Sequence, residues 1–426
     1  MNKSMIRYLL AKLLLIEAML LCVPIVVALL NLKNDFVVKD SPTVFISLFA
    51  TIAILLILGG IGTLFKPKDF HIYAKEGVLI VALCWILWSF FGALPFVFSG
   101  QIPNIIDAFF EISSGFTTTG ATILNDVSVL SPSLLFTHLI GGMGVLVFAL
   151  AIMDNNKNGH LEVMKAEVPG PVFGKIVSKL KNTAQILYYL YLALFFLFVI
   201  IYFCAGMPLY DSFIIAMGTA GTGGFTVFND GIAHYHSTLI TYLVSFGVLV
   251  FGVNFNLYYY IMLRKFKAFF GDEELRTYLM IVGVSSLLIA CNILHLYHNF
   301  ADSFEMSFFQ VSNVITTTGF GFGNTVDWPL FSQFLLLMLM VIGGSAGSTA
   351  GGLKVIRFLI LARIGKNQIR STLSPNRVMT LHVNGTALDK DTQHKILKYF
   401  VVYTLIMISL IAIVSFDSNN FMTVVS

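Results

Sequence analysis

Charge is scarce in this sequence: Lys, Arg, Asp and Glu make up 11% of its 426 residues, against 57% that are hydrophobic. So little charge cannot clothe a soluble globule of this length, and a net +4 offers no basic stripe of the kind nucleic acid requires. No nucleic-acid partner is expected. Cysteine is equally sparse. Cys22, Cys84, Cys204 and Cys291 lie far apart inside apolar runs, which excludes a disulfide framework or a thiolate metal centre and leaves small core residues.

What the chain holds instead is apolar length. Runs longer than about 18 residues recur throughout, at 8–32, 43–65, 76–99, 132–152, 184–205, 237–263, 276–297, 329–364 and 395–415. They predict an all-α polytopic membrane protein built as one membrane domain. The first run follows Lys3 and Arg7 and has no small-residue cleavage site before the next span, so it reads as a retained helix. Glu17 lies within it, and an intramembrane carboxylate points either to function or to helix packing beside a watery groove. Basic residues gather at Lys66, Lys68 and Lys75, from Lys157 to Lys181, from Arg264 to Arg276 and from Arg363 to Arg377. Those connectors are expected on the cytoplasmic side.

Thr117-Thr118-Thr119-Gly120 recurs letter for letter at Thr316-Thr317-Thr318-Gly319, with a looser echo at Thr222-Gly223-Gly224-Phe225. Around each echo the same unit repeats at a period of about a hundred residues: a span, a short amphipathic run, the Thr-Gly stretch, a second span. The short runs, at 104–116, near Asp211 and at 303–315, cannot cross a bilayer and are expected to be re-entrant half-helices of roughly 12 residues. Phe110, Phe213 and Phe309 each stand ten residues before a glycine, which aligns Gly223 with Gly120 and Gly319. The expected fold is four pseudo-repeats around a central pore, preceded by two extra spans. Its divisions are 1–70 for the two N-terminal helices, then 71–160, 161–270 and 271–375 for three pore repeats, and 376–426 for the start of a fourth. That fourth copy is incomplete. Asp417 and Phe421 resemble the opening of another half-helix whose glycine would fall beyond Ser426, so a truncated chain is expected.

Non-helical backbone at bilayer depth survives only where it is buried in protein or lines a watery cavity. A dehydrated cation needs oxygens to replace its lost water, and a ring of backbone carbonyls supplies them without burying a formal charge. Turning successive carbonyls towards one axis requires positive φ, hence a glycine in each wall. Thr hydroxyls add oxygens, and half-helix C-termini aim partial negative charge at the axis. One loop cannot ring an ion, whereas related loops around a pseudo-symmetry axis can. The candidate ion-binding residues are therefore Thr118, Thr119, Gly120, Thr222, Gly223, Thr317, Thr318 and Gly319. The cation would be held at Thr118, Thr119, Thr222, Gly223, Thr317 and Thr318. Small residues also mark tight helix crossings, but three copies in one context favour the pore. Asp107, Asp126, Asp211, Asp230, Asp302 and Asp327 fall near the re-entrant segments, either as an acidic rim that concentrates cations or, for Asp107, Asp211 and Asp302, as helix caps.

A second unusual stretch, Gly343-Gly344-Ser345-Ala346-Gly347-Ser348-Thr349-Ala350-Gly351-Gly352, interrupts the second span of the third copy. Ten small residues in a row cannot stay a stiff helix, so a break and a movable intramembrane gate are expected, with a close helix crossing as the alternative. The stretch lacks a Gly-Lys-Ser/Thr ending, so it is a poor match to a phosphate-binding loop. Ser345 or Ser348 as an intramembrane nucleophile has no evident base, since His138, the one histidine well inside a span, reads as a hydrogen-bonded packing residue. An enzyme is not expected.

These motifs resemble the bacterial Trk/Ktr potassium-uptake superfamily, which plant HKT transporters share. The resemblance rests on FTTTGAT (116–122), TGGFT (222–226), TTTGFG (316–321) and GGSAGSTAGGLKVIR (343–357), and covers nearly all of the chain. The two extra N-terminal spans and AEVPGP (166–171) make it most similar to the Trk branch. The resemblance implies one filter glycine per repeat, potassium as the transported ion with no organic cofactor, and 343–352 as the loop that restricts conduction. It further implies a homodimer in the bacterial inner membrane and a cytosolic nucleotide-binding regulatory subunit of the TrkA or KtrA type. Within the superfamily, Ser in place of the first filter glycine goes with sodium permeability, so Gly120 implies potassium. A proton- or sodium-coupled cation symporter of the same fold is the alternative, with Glu17 and Glu111 the only evident intramembrane carboxylates.

Overall fold

The computed structural model describes residues 1–29, 41–69, 73–124, 132–142, 180–226, 228–323, 325–373, 380–416 and 424. Chain order begins with α1 (Lys3–Leu20), α2 (Cys22–Leu29) and α3 (Ser41–Leu64). Three units follow, each a long helix, a short helix and a second apolar segment. The first comprises α4 (Ala74–Ser99), α5 (Ile105–Phe116) and α6 (Pro132–Gly142). The second comprises α7 (Leu180–Cys204), α8 (Leu209–Gly221), α9 (Thr238–Phe251) and α10 (Phe255–Met262), with α11 (Phe266–Gly271) after it. The third comprises α12 (Glu273–Ile293), α13 (Phe300–Ile315), α14 (Leu330–Ile342) and α15 (Val355–Leu373). A hairpin of β1 (His382–Val383) and β2 (Thr386–Ala387) precedes α16 (Lys390–Val414).

Among the described residues six helices are long and apolar enough to cross a membrane, or seven if the bent pair α9–α10 is one span. The protein is an all-α, multi-pass membrane protein. At 1.5 Å per residue α5, with 12 residues, is about 18 Å long, short of the roughly 30 Å hydrocarbon core. In each unit the short helix packs against its own long helix, α5 on α4, α8 on α7 and α13 on α12, and then against the segment that follows. Units join through α6 against α8 and α9 against α13. Asn104 caps α5 by accepting from the Ile106 amide at 3.0 Å, and Asn299 caps α13 by accepting from the Asp302 amide at 2.8 Å. Asp107 and Asp302 therefore sit in the first turn beside the positive end of the dipole, and the expected Asp caps are Asn instead.

Two expectations need correcting. The span at 237–263 is not one rod: α9 and α10 meet at 92° across Gly252-Val253-Asn254. Gly252 lies where a Cβ would reach Tyr278 Oη at 2.5 Å and Thr316 Cγ2 at 2.8 Å, so the break brings this backbone under the third short helix. The second difference is the hairpin inside 376–426. Asn384 and Gly385 both have positive φ, at 49° and 75°, the conformation a two-residue I′ turn demands. Asn-Gly was its sequence signal. The segments around 143–179 and the start of the fourth copy at Asp417 and Phe421 lie outside the described residues.

Three aromatic-rich cores fill the bundle. Trp88, Phe96, Ile112 and Phe116 centre one, Tyr191, Phe198, Tyr202, Phe251, Phe309 and Phe320 the second, and Tyr278, Ile289, Ile315 and Leu339 the third. Outward faces are apolar too: Leu405, Ile406, Ile408 and Leu410 on α16 are exposed. Because lipid is as apolar as leucine, helices associate here through close packing of small residues. The α1–α3 crossing shows it. A Cβ on Gly62 would lie 2.5 Å from Ala11 Cβ, whereas one on Gly60 would meet nothing within 4 Å. Gly62→Leu is expected to cost about 1–3 kcal/mol through overpacking, lowering the melting temperature in detergent. Gly60→Leu, two positions away, is expected to leave it at the wild-type value.

Candidate functional site

Each short helix ends where a Thr-Gly stretch begins, and the three stretches adopt one backbone form. Thr118, Thr222 and Thr317 have φ of 53°, 52° and 54°, and two residues on Gly120, Gly224 and Gly319 have φ of 75°, 76° and 78°. The amides of Thr118, Thr222 and Thr317 bond three residues back, to Gly115, Thr219 and Val314. Those of Thr119, Gly223 and Thr318 bond five back, to Ser114, Gly218 and Asn313. Left-handed backbone costs an L-residue about 1–2 kcal/mol, so three threonines held there imply a surrounding structure that over-determines them.

This register corrects the sequence alignment by one. The counterpart of Gly120 and Gly319 is Gly224, and Gly223 matches Thr119 and Thr318. Ile214, not Phe213, then stands opposite Phe110 and Phe309. The reason is His138 on α6. A Cβ on Gly221 would lie 2.2 Å from the His138 carbonyl oxygen, and one on Gly223 only 2.4 Å from its Nδ1. In the other two loops those positions are threonines whose hydroxyls pair, Thr117 with Thr119 at 2.8 Å and Thr316 with Thr318 at 2.6 Å. The imidazole fills the volume of that pair, so the second loop must be Gly-Thr-Gly-Gly. His138 is fully buried and stacks on Phe225 at 4.1 Å. Neither ring nitrogen has a hydrogen-bond partner among the described residues, so it packs without the bonding the sequence suggested.

The loops close on one another in rotational order. A Cβ on Gly120 would lie 2.1 Å from the Gly223 carbonyl oxygen and 3.6 Å from that of Thr318. One on Gly224 would lie 2.1 Å from the Thr318 carbonyl oxygen. The same position of one loop thus faces the same carbonyl of the next, twice in succession. At Gly319 nothing among the described residues lies within 4 Å. No side chain other than hydrogen fits at Gly120 or Gly224, for reasons of both φ and space.

Polar side chains on the short helices hold the ascending limbs. Glu111 accepts from the Ile123 amide at 3.1 Å and Ser114 donates to the Ala121 carbonyl at 2.6 Å. In the third unit Gln310 donates to the Phe322 carbonyl at 2.6 Å and Asn313 accepts from the Phe320 amide at 3.3 Å. The second unit has Ile215 and Gly218 at these positions, and packs backbone on backbone instead: a Cβ on Gly218 would reach the Phe225 carbonyl oxygen at 3.0 Å. These braces were missed in the sequence, where they show only as polar residues seven and twelve positions before their partners.

The Gly-rich stretch does break the third unit's second span. Gly343, Gly347 and Gly352 have positive φ, and the segment folds back so that Gly344 donates to Gly351, and Leu353 to Val341. Its outer contacts run in two directions. Towards the loops, the Gly351 amide donates to Thr317 Oγ1 at 2.7 Å, and a Cβ on Gly351 would lie 2.8 Å from that oxygen. Towards the second unit, Ser345 donates to the Gly252 carbonyl at 3.0 Å, Thr349 to that of Phe251 at 3.2 Å, and the Phe255 amide to the Gly347 carbonyl at 3.0 Å. The two helix breaks thus satisfy each other. Gly343, Gly344, Ser345, Ala346, Gly347, Ser348, Thr349, Ala350, Gly351 and Gly352 form one unit below Thr317.

The remaining charged groups separate. Glu17 is buried between α1 and α4, 3.7 Å from where a Cβ on Gly92 would lie, with no hydrogen-bond partner among the described residues. Asp211 is 1% exposed, whereas Asp230 and Asp327 are exposed and Asp107 and Asp302 intermediate, so an acidic rim is partial. Asp126 lies outside the described residues. No group of three or more His, Cys, Asp or Glu able to hold a metal occurs among the described residues.

Comparison with known proteins agrees with this architecture. The family described as TrkH, cation transport protein, matches residues 44–426. The Trk system potassium uptake protein TrkH of Salmonella typhimurium is 35% identical over 362 residues, 82% of this chain and 74% of the relative. TrkG of Escherichia coli, also described as a Trk system potassium uptake protein, is 30% identical over 88% of this chain and 79% of its own. The crystal structure of the potassium transporter TrkH from Vibrio parahaemolyticus superposes with a TM-score of 0.85 at 28% identity, covering 98% of this chain and 87% of that one. The chain is a member of the TrkH family of cation transport proteins, and a transporter rather than an enzyme.

Proposed function

We propose that this chain conducts potassium into the cell across the bacterial inner membrane, through a filter whose walls are the three Thr-Gly loops. One observation carries the reading: carbonyl oxygens of Gly223 and Thr318, from different loops, converge on Gly120. Oxygens gathered in that way can replace a cation's hydration shell. The half-helices ending at Phe116, Gly221 and Ile315 add the negative ends of their dipoles. The relatives named as potassium uptake proteins support potassium as the cargo. In this reading Thr118, Thr119, Gly120, Thr222, Gly223, Gly224, Thr317, Thr318 and Gly319 contribute oxygens or the turns that present them.

The stretch 343–352 is the gate, since it is docked on Thr317 directly beneath the third wall. The pore is divided as 71–160, 161–270 and 271–375, with 376–426 opening a fourth repeat and 1–70 bracing the first. The working form is a homodimer controlled by a cytosolic nucleotide-binding subunit of the TrkA or KtrA type at the basic connectors. Passive or weakly coupled flux is favoured over proton- or sodium-coupled symport, because Glu111 is committed to the Ile123 amide and Glu17 packs against α4.

Potassium uptake in a strain lacking other uptake systems tests the reading. Gly120→Ser, whose side chain collides with the Gly223 carbonyl oxygen, is expected to distort the filter and admit sodium, lowering the potassium-to-sodium ratio about tenfold, a change of roughly 1.4 kcal/mol in relative barriers; an unaltered ratio would remove Gly120 from the filter. The register makes a separate demand. Gly223→Thr is expected to reduce uptake about tenfold or more because the new side chain meets His138, and His138→Ala should restore part of it in the double variant. Equal loss in single and double variants would reject the packing account of the second wall.

A further inference from the structure

One carboxylate ties the gate loop to the start of the helix that follows it. Glu274, at the start of α12 and 5% exposed, accepts through the same Oε1 from the Ala346 amide at 2.7 Å and the Ile356 amide at 3.1 Å. Between those amides, Lys354 Nζ donates to the Ala350 carbonyl. Glu274 is fixed in turn from outside the bundle. The Glu273 amide donates to Asn384 Oδ1 at 2.9 Å, and Asn384 Nδ2 donates to the Asp272 carboxylate at 2.8 Å. Arg363 pairs with Glu273 at 2.7 Å and donates to the His382 carbonyl. Asn384 is the turn residue of the β1–β2 hairpin. The hairpin also reaches the loop by packing, because Leu381 and Val383 share a buried cluster with Ala346, Ile356 and Ile360.

We infer that Glu274 is the positioning residue that keeps the intramembrane loop docked, and that the 381–388 hairpin is the handle by which the basic face of the protein moves it. The inference rests on the reading of 343–352 as a gate. Physically, one carboxylate oxygen bonded to Ala346 within the loop and to Ile356 just beyond it makes the loop's docking and the N-terminus of α12 a single mechanical unit. The hairpin touches that unit twice, through Asn384 on the start of α12 and through Leu381 and Val383 on the loop side. Displacing the hairpin therefore pulls on Ala346 and Ile356 together. At the far end Gly351 leaves or keeps Thr317. The hairpin meets Arg363 and leads directly into Lys390, on the face the charge distribution assigns to the cytoplasm. A regulator pressing there needs no contact with the pore.

The test uses two readouts on the whole chain in membranes: potassium uptake, and labelling of Ser348→Cys by a water-soluble maleimide, with Cys22, Cys84, Cys204 and Cys291 replaced by Ser. Glu274→Ala is expected to raise both, uptake by about fivefold, the scale on which a lost coupling contact shifts such an equilibrium. Glu274→Gln, which retains the acceptor oxygen, is expected to keep labelling near the starting level. Asn384→Ala lies outside the membrane and carries the test even if Glu274→Ala does not fold. It should raise labelling and uptake in the same direction, and the double variant should go no further than Glu274→Ala alone. Unchanged labelling in Glu274→Ala, or labelling in Glu274→Gln that matches Ala, overturns the clamp. Starting-level labelling in Asn384→Ala overturns the handle. Absence of potassium uptake in the parent chain would count against the pore reading, while labelling would still report on the clamp.

Discussion

Every backbone N–H and C=O at bilayer depth has to find its partner inside the protein, and this single constraint shapes the molecule from α4 to α15. Long helices meet it by themselves. The three Thr-Gly loops and the segment 343–354 cannot, and each exists only because neighbouring groups take up its amides and carbonyls. The loops use the last turn of their own short helix and the side chains behind it. The Gly-rich stretch uses the broken backbone at Gly252 and Phe255, which would otherwise be left with the same difficulty. Two helix breaks in adjacent units are cheaper together than either would be apart, which explains why they face each other.

Sequence repetition carried the fold a long way because the constraint is the same in each unit. Among the described residues most spans, the short helices and the break at 343–352 were legible from apolar run length and small-residue content. What was not legible depended on volume rather than pattern. The second loop departs from Thr-Thr-Thr-Gly because His138, distant in sequence, fills the space of two threonine side chains. With Gly223 and Gly224 adjacent, a count from Phe213 then lands one residue early. The bend at 252–254 was hidden for a related reason: Gly-Val-Asn inside an apolar run looks tolerable until the partner backbone that satisfies it is known. The 381–388 hairpin left a local signal in Asn384-Gly385, a two-residue cue set between long helical runs.

The three loops also reach one backbone form by two different routes. In the first and third, hydroxyl pairs and amide or carboxylate braces tie the loop to its helix. In the second, glycines allow direct contact with His138 and Phe225, and the tie is steric. Steric and hydrogen-bonded supports respond differently to substitution, since a brace can be lost one bond at a time while a close-packed glycine tolerates no addition at all. The pseudo-symmetry is therefore one of backbone geometry and not of side-chain chemistry. That distinction accounts for an echo exact in two copies and loose in one.

The sequence separation of the supporting contacts then divides what is rigid from what can move. The braces behind the loops join residues seven or twelve positions apart, within one helix-loop unit. A rigid-body shift of one unit against another leaves them intact. The stretch 343–352 is held instead by Glu274 and Phe251, 72 and 98 positions from their partners, and by Thr317, 34 away. Any relative motion of the second and third units, or of the start of α12, changes several of these bonds at once. On the proposed reading, local support suits a filter that must keep its geometry, and distant support suits a gate that must sense displacement. The two kinds of support lie within one hydrogen bond of each other, at Thr317 Oγ1, where a locally held loop meets a remotely held stretch.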